Sequence, residues 1–452
     1  MIEGPLFLKI MKFVLPLALT GLLQRLYNTA DVIVVGRYAG EIPLAAVGAS
    51  GSLTTLMLDF FIGLSAGISV VLGHSIGAGK MEKARKAVHT AMFIAIFGGA
   101  IISVVGIVFA GPLLRLIEVP DDVMPQARLY MQIAFTGKIP VLIYTFGSAI
   151  VRAKGDTKRP LYIVTVSGII NVVLNLFFVC ICKMQAEGVA LATVISQCYT
   201  AIFMLRLLCK EEGELKLSLR KIRLHKEVFG DVVKIGVPSA IQHSVFSISN
   251  VVVQSSVNSF GSAAVIAGNT AAANICSLFY VCFNAFYSTT IAFVSQNVGA
   301  KKPERIKKIV GACFVGILIF GAATCLIAFF GGEFLLKIYL PDNPAAMPSG
   351  LMRLRIVGCS YTLLGIMSTM NGTLRGMGYS VSNMILNIFG TCFIRFLWIV
   401  TVFNATRNFL TLYLAYPISW AVAFICLGTL YIFAYRRLKK KMALENTVCP
   451  VG

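Results

Sequence analysis

Twelve apolar stretches, each about the length needed to cross a bilayer, follow one another through the 452 residues of this chain. They fall roughly at 9–35, 48–74, 88–110, 128–151, 160–182, 187–209, 231–257, 264–294, 309–330, 353–373, 381–403 and 411–435. Hydrocarbon offers no partner to a free N–H or C=O, so runs of this length must be helices. Charged residues make up 13% and hydrophobic ones 57%, whereas a soluble domain carries about 25% charged residues. The expected fold class is therefore an all-α polytopic membrane protein. Lys9 and Lys12 precede the first run, but it continues through Gln24, Arg25 and Asp31 without a small-residue cleavage pattern. The first span is expected to be retained.

The formal net charge of +21 does not point to nucleic acid, because the basic residues sit in short connections rather than in one domain or arm. Of the 40 Lys and Arg, 29 fall on one set of connections and eight on the other, while Arg25, Lys138 and Arg395 lie within spans. That bias predicts both termini in the cytoplasm, as an even number of spans requires. The twelve cysteines show no disulfide spacing, and the four histidines form no ligand cluster.

The chain repeats itself at an offset of 222. GAGKMEKARK at 77–86 resembles GAKKPERIKK at 299–308, Pro16 falls on Pro238, and Asn28 falls on Asn250. With a shift of one or two residues, Pro120 falls on Pro341 and 152–155 on 375–378. Each copy holds six spans, so two six-helix lobes should be related by a pseudo-two-fold axis along the membrane normal. The expected division is a lobe at 1–209, a cytoplasmic linker at 210–230, a lobe at 231–440 and a cytoplasmic tail at 441–452. A transport path is the usual use of such a plan.

Within the first span, Thr20, Gln24, Asn28 and Asp31 occupy an arc of about 80° at 100° per residue. An intramembrane carboxylate is unfavourable by roughly 2.5 kcal/mol or more, and such residues usually mark ion or substrate pathways. The alternative is an acid that pairs with a neighbouring helix. Its repeat counterpart is Val253, so the acid belongs to one half only. Ser167, Asn171 and Asn175 form a second stripe, spaced by four, on the fifth span. Asp31, Asn28, Asn171 and Asn175 are thus candidates for an oxygen-rich site for H⁺ or Na⁺. Asparagines also pack helices together, and Ser167 and Asn171 fit that role equally well.

Arg25 and Asp59 match in depth on opposite-running spans and are expected to form a structural ion pair. Lys138 and Arg395 lack an acidic partner at their depth, and could line a path, snorkel or bind lipid. In the second half the polar residues are uncharged, among them Gln242, His243, Asn250, Gln254, Asn269, Asn274 and Asn284. Gln24, Tyr27, Gln242, Asn250, Asn274 and Phe283 are candidates for a cavity with amides and aromatic faces, which would suit organic cations. Pro16 interrupts the helical ladder below Asp31 and is the expected hinge. No nucleophile–base pair, metal cluster or Walker-type loop is present in the sequence, so neither an enzyme nor an ATP-driven pump is expected.

Several motifs resemble one known family: YNTADVIVVGR at 27–37, LAAVGASG at 44–51, FFIGLSAGISVVLGHSIGAGKMEKAR at 60–85, IVRAKGDTKRP at 150–160, NVVLN at 171–175 and TLRGMGYS at 373–380. In order, spacing and duplication, over about 5–440, the chain resembles a bacterial multidrug and toxic compound extrusion (MATE) transporter. The resemblance implies alternating access and export of cationic or amphipathic compounds against Na⁺ or H⁺, by a monomer in the bacterial cell membrane, with no other cofactor. Asp31 matches the family's acid on the first span and Asn171 its asparagine on the fifth, while Asn175 stands where many relatives carry aspartate. Acids that some relatives carry on the seventh and tenth spans do not occur here. A flippase for a lipid-linked glycan precursor is the alternative within the superfamily, and a non-transporting receptor the alternative outside it.

Overall fold

A computed structural model describes residues 1–340 and 343–448, apart from the side chains of Ser52, Leu56 and residues 445–448. Helices dominate the described residues, and no strand occurs among them. The first half contains α1 (Leu6–Tyr38), α2 (Glu41–Gly77), α3 (Met81–Val108), α4 (Ala110–Leu116), α5 (Met124–Thr136), α6 (Lys138–Lys154), α7 (Lys158–Leu176) and α8 (Ala186–Lys210). The second contains α9 (Lys226–Asn258), α10 (Ala263–Gly299), α11 (Pro303–Phe330), α12 (Gly332–Tyr339), α13 (Met347–Arg353) and α14 (Tyr361–Gly376). It ends with α15 (Ser380–Ile388), α16 (Ile394–Trp398), α17 (Asn404–Thr406) and α18 (Phe409–Val448).

Nine helical segments among the described residues are long and apolar enough to cross a membrane, and two bent pairs raise the number to eleven. The twelfth span is α9, which beyond Lys234 carries no charge but holds Gln242, His243, Asn250, Gln254 and several serines that lower its hydropathy. α18 runs on through the beginning of the expected tail, as far as Val448. Pro341, matched to Pro120 in the sequence, lies outside the described residues.

The repeat recurs in details that the sequence motifs do not carry. Short helices follow α3 and α11, and a 44° bend at Gly137 has its counterpart in a 41° bend between Pro344–Gly358 and α14. π-helical turns occupy Phe177–Ile181 and Ile399–Phe403, whose first residues are again 222 apart. Such turns insert a residue into the helical ladder and change its direction. At Gly137 the bend also brings the backbone against Gln197 of α8, where a Cβ would overlap the amide.

The chain forms two compact units, Leu19–Ala240 and Met1–Ala18 with Ile241–Gly452. The division expected at 210–230 therefore falls elsewhere, inside α1 and inside α9. In each helix it lies two residues beyond the matched proline, Pro16 or Pro238. Packing explains this. Phe13 meets Phe293 edge-on at 5.5 Å in one unit. In the other, Gly67 crosses α9 so closely that a Cβ there would lie 2.7 Å from the Val232 carbonyl oxygen. Small residues permit that approach in a membrane. The link itself is folded into the first unit, with Leu215 and Leu217 buried and the Ser218 N–H donating to His89 Nε2 at 3.3 Å.

At the end of α8, Glu211 accepts from Lys154 Nζ and from Arg159 Nη1, tying three helices together. Its side chain is only 7% exposed. Burial opposes its ionisation, but the hydrogen bonds and charges of Lys154 and Arg159 outweigh that and hold the carboxyl below the usual glutamate range. The stabilisation is complete above the ordinary value of about 4.3 and is lost as pH falls through the folded value. Between pH 6 and pH 3 the melting temperature of the parent should fall further than that of Glu211→Gln, with the curves converging in acid. Parallel curves would show that the cluster contributes nothing.

Candidate functional site

The first unit holds the site built around Asp31. Tyr27 and Asp31, one turn apart on α1, face α7. The Tyr27 ring lies over Gly168, where a Cβ would overlap it, and its hydroxyl donates to the Thr165 carbonyl at 3.3 Å. One turn further along, Asn175 Nδ2 donates to Asp31 Oδ1 and lies 3.3 Å from Asn171 Oδ1. Asn171 Nδ2 in turn donates to Thr193 Oγ1 of α8 at 3.4 Å. Asn175 is 0% exposed and Asn171 5%, while Asp31 is half-buried. The oxygen of the Asn175 amide, Oδ1, is buried and has no hydrogen-bond partner among the described residues. The phenol of Tyr130 on α5 is within electrostatic reach of the carboxylate.

This arrangement provides a carboxylate held by an amide, beside a buried acceptor that lacks a donor. Either a proton on Asp31 or a small hard cation would supply what that acceptor lacks. Ser167 belongs to packing instead, since its hydroxyl donates to the Ser196 carbonyl at 2.9 Å.

Not every expected member joins the cluster. Asn28 and Gln24 are exposed. Tyr27 and Asp31 bracket the contact with α7, and Asn28 lies about 60° further round α1 from Asp31. Arg25 does not pair with Asp59, which corrects the expected ion pair. It is exposed and forms no ion pair with any carboxylate among the described residues. Lys138 is buried at 3% exposure, with its ammonium 5.2 Å from the Phe135 ring centre.

The second unit holds a half-open cavity of about 60 Å³. Gln242 lines it, as anticipated, with His243, Phe246, Asn284 and Tyr287. Asn250, Asn274 and Phe283 do not. Asn250 accepts from Arg395 Nη1 at 3.3 Å, and Asn274 is exposed on α10. Phe283 is a core residue, 0% exposed and stacked on Tyr361 at 5.9 Å. Phe283→Ala should therefore lower stability by about 3–5 kcal/mol. Chemical denaturation in detergent would check this. An unchanged midpoint with altered ligand preference would instead place the ring in the cavity.

Arg395 is fully buried, donating to Ser249, Asn250 and Ser419 at 3.3–3.5 Å, with the Tyr416 ring 4.5 Å away. Its charge is met by neutral oxygens and a π face, so it neither snorkels nor reaches the membrane surface. Reading the sequence missed Arg375, Asn371, Asn383 and Asn387, all buried around the cavity. Arg375 was counted among the loop cations. Asn371 with Arg375, and Asn383 with Asn387 and Thr391, are nevertheless spaced by four, the same signal that exposed α7.

A duplicated all-helical membrane bundle, with a carboxylate–amide site in one unit and a polar cavity in the other, has the plan of a secondary transporter. A family model described as MatE matches residues 16–177 and 238–401, two blocks that begin 222 apart. The chain belongs to the MatE family. The probable multidrug resistance protein YoeA of Bacillus subtilis (strain 168) is 26% identical, over 94% of this chain and 93% of its own length. The probable multidrug resistance protein NorM of Thermotoga maritima is 25% identical, over 84% and 82% respectively. A solved multidrug resistance MATE family transporter in an outward-facing conformation shares the fold at a TM-score of 0.91, with 21% identity over 97% of this chain and 98% of that one.

Proposed function

We propose that this protein is a secondary active antiporter that exports amphipathic organic compounds in exchange for H⁺ or Na⁺, with Asp31 as the exchanging group. The supporting observation is the Asp31–Asn175–Asn171 chain of side chains, which leaves Asn175 Oδ1 buried without a donor. Membership of the MatE family and the names of the relatives point the same way. The protein acts as a monomer in the bacterial cell membrane and needs no cofactor beyond the coupling ion. Both termini lie in the cytoplasm, on the side of the 29 basic residues.

The chain passes between its two units only at Ala18–Leu19 and Ala240–Ile241. Pro16 and Pro238, just before these points, cannot donate to the carbonyls four residues earlier, which makes both helices easier to bend there. Ion exchange at Asp31 changes the bend of α1 and drives alternating access. Pro16→Ala should slow export about tenfold while leaving equilibrium ligand binding intact; export at the parent's rate would remove Pro16 from the mechanism.

Dye efflux from inverted membrane vesicles, with the H⁺ and Na⁺ gradients collapsed in turn, tests the function. Export should stop with one collapse and survive the other. Export indifferent to both would overturn ion coupling.

A further inference from the structure

The cavity of the second unit has a polarity fixed by a residue behind its wall. Arg375, at the end of α14, is 0% exposed. Its Nη1 donates to the Tyr287 hydroxyl oxygen, its Nη2 donates to Gln242 Oε1 at 2.8 Å, and its guanidinium lies 5.5 Å from the Tyr287 ring centre. A guanidinium has only donors, so each partner must turn an oxygen toward it. Gln242 then has its amide N–H₂ directed away from Arg375, and the Tyr287 hydroxyl keeps its own hydrogen to give elsewhere. Both residues line the cavity.

Two more wall residues are oriented in the same sense. Asn371 Oδ1 accepts from Asn383 Nδ2 at 2.5 Å, which leaves its N–H₂ on the opposite side of the amide. Asn387 is 2% exposed and its Oδ1 accepts from Thr391 Oγ1 at 3.2 Å. Its Nδ2 is buried with no partner among the described residues. A buried N–H₂ without an acceptor is unfavourable, and an acceptor brought by a ligand removes that penalty. Among the described residues no Asp or Glu lines the cavity, whereas Phe246 and Tyr280 supply aromatic surface.

We infer that this cavity binds aromatic organic anions, its amide and phenol donors holding the anionic group and its rings holding the aromatic body. This rests on the transport reading above and narrows it. The organic cations expected from the sequence find no carboxylate here to receive them, and the positive charge of Arg375 behind the wall disfavours them. Charge-assisted hydrogen bonds are the stronger kind, so each donor lost should reduce affinity for an anion about tenfold.

The test is equilibrium binding of two dyes that share a xanthene body, anionic fluorescein and cationic rhodamine 123. Fluorescence polarisation with the purified full-length protein gives both affinities. The parent should bind fluorescein at least about tenfold more tightly than rhodamine 123. Asn387→Asp, which replaces the unpartnered N–H₂ by an oxygen of the same shape, should weaken fluorescein about tenfold and leave rhodamine 123 unchanged or tighter. A misfolded variant would lose both dyes and lower the melting temperature. In that case Gln242→Glu, which keeps an oxygen on Arg375, should give the same selective loss. A parent that prefers rhodamine 123 or binds neither dye would overturn the inference, as would an Asn387→Asp protein that keeps full fluorescein affinity. Repeating the measurement in Asp31→Asn separates the two readings, because binding without a gradient should survive there even though uphill export does not.

Discussion

Asp31→Asn should reduce gradient-driven export to the background of vesicles lacking the protein, while the melting temperature stays close to the parent's. The asparagine keeps the size of the side chain and can still accept from Asn175 Nδ2, so packing of α1 on α7 survives. What it loses is the ability to alternate between a charged and a neutralised state. A transporter whose driving ion binds equally in both conformations, or not at all, has no free energy with which to shift its own equilibrium. Passive exchange of substrate down its gradient should continue, which separates loss of coupling from loss of fold. Uphill export at even a tenth of the parent's rate would mean that another group carries the ion.

The second large effect is expected at Gly168, a residue that bears no functional group. Any Cβ there overlaps the Tyr27 ring, so Gly168→Leu must move that ring or move α1. Asp31 lies one turn beyond Tyr27, and its hydrogen bond to Asn175 depends on the same close approach. Displacements of about 1 Å at a functional constellation commonly reduce rates about a hundredfold, and a loss of that order is expected here. Tyr27→Ala in the Gly168→Leu background should recover part of the rate by making room for the new side chain. Failure of the double variant to improve on Gly168→Leu would show that the close contact of α1 with α7 does not position Asp31.

The apolar runs gave the number and kind of spans because spanning length is written directly into composition. The offset of 222 also paired Pro16 with Pro238, though it did not show that both stand at the unit boundaries. The join itself was misplaced at 210–230, because a polar link looks like a boundary even when Leu215 and Leu217 are buried in one unit. Within the site, residues four apart on one helix were legible as a set. Asn171 and Asn175 were found in this way, and Asn175 does meet Asp31. Relations between helices were not legible. Arg25 and Asp59 agreed in depth without forming a pair, and Phe283 had the composition of a ligand contact and the burial of a core residue. Arg375 was hidden by its position at a helix end, where a basic residue ordinarily signals topology. The polarity it gives the cavity follows from hydrogen bonds that no one-dimensional pattern contains.

The most direct measurement is ion movement driven by substrate in sealed proteoliposomes containing the purified protein. A pulse of exported dye on one side, with no ion gradient imposed, should drive a counterflow of H⁺ or of radioactive Na⁺ through the parent. The same pulse should drive none through Asp31→Asn, although dye still crosses. Counterflow of equal size through both proteins would contradict the assignment of ion exchange to Asp31.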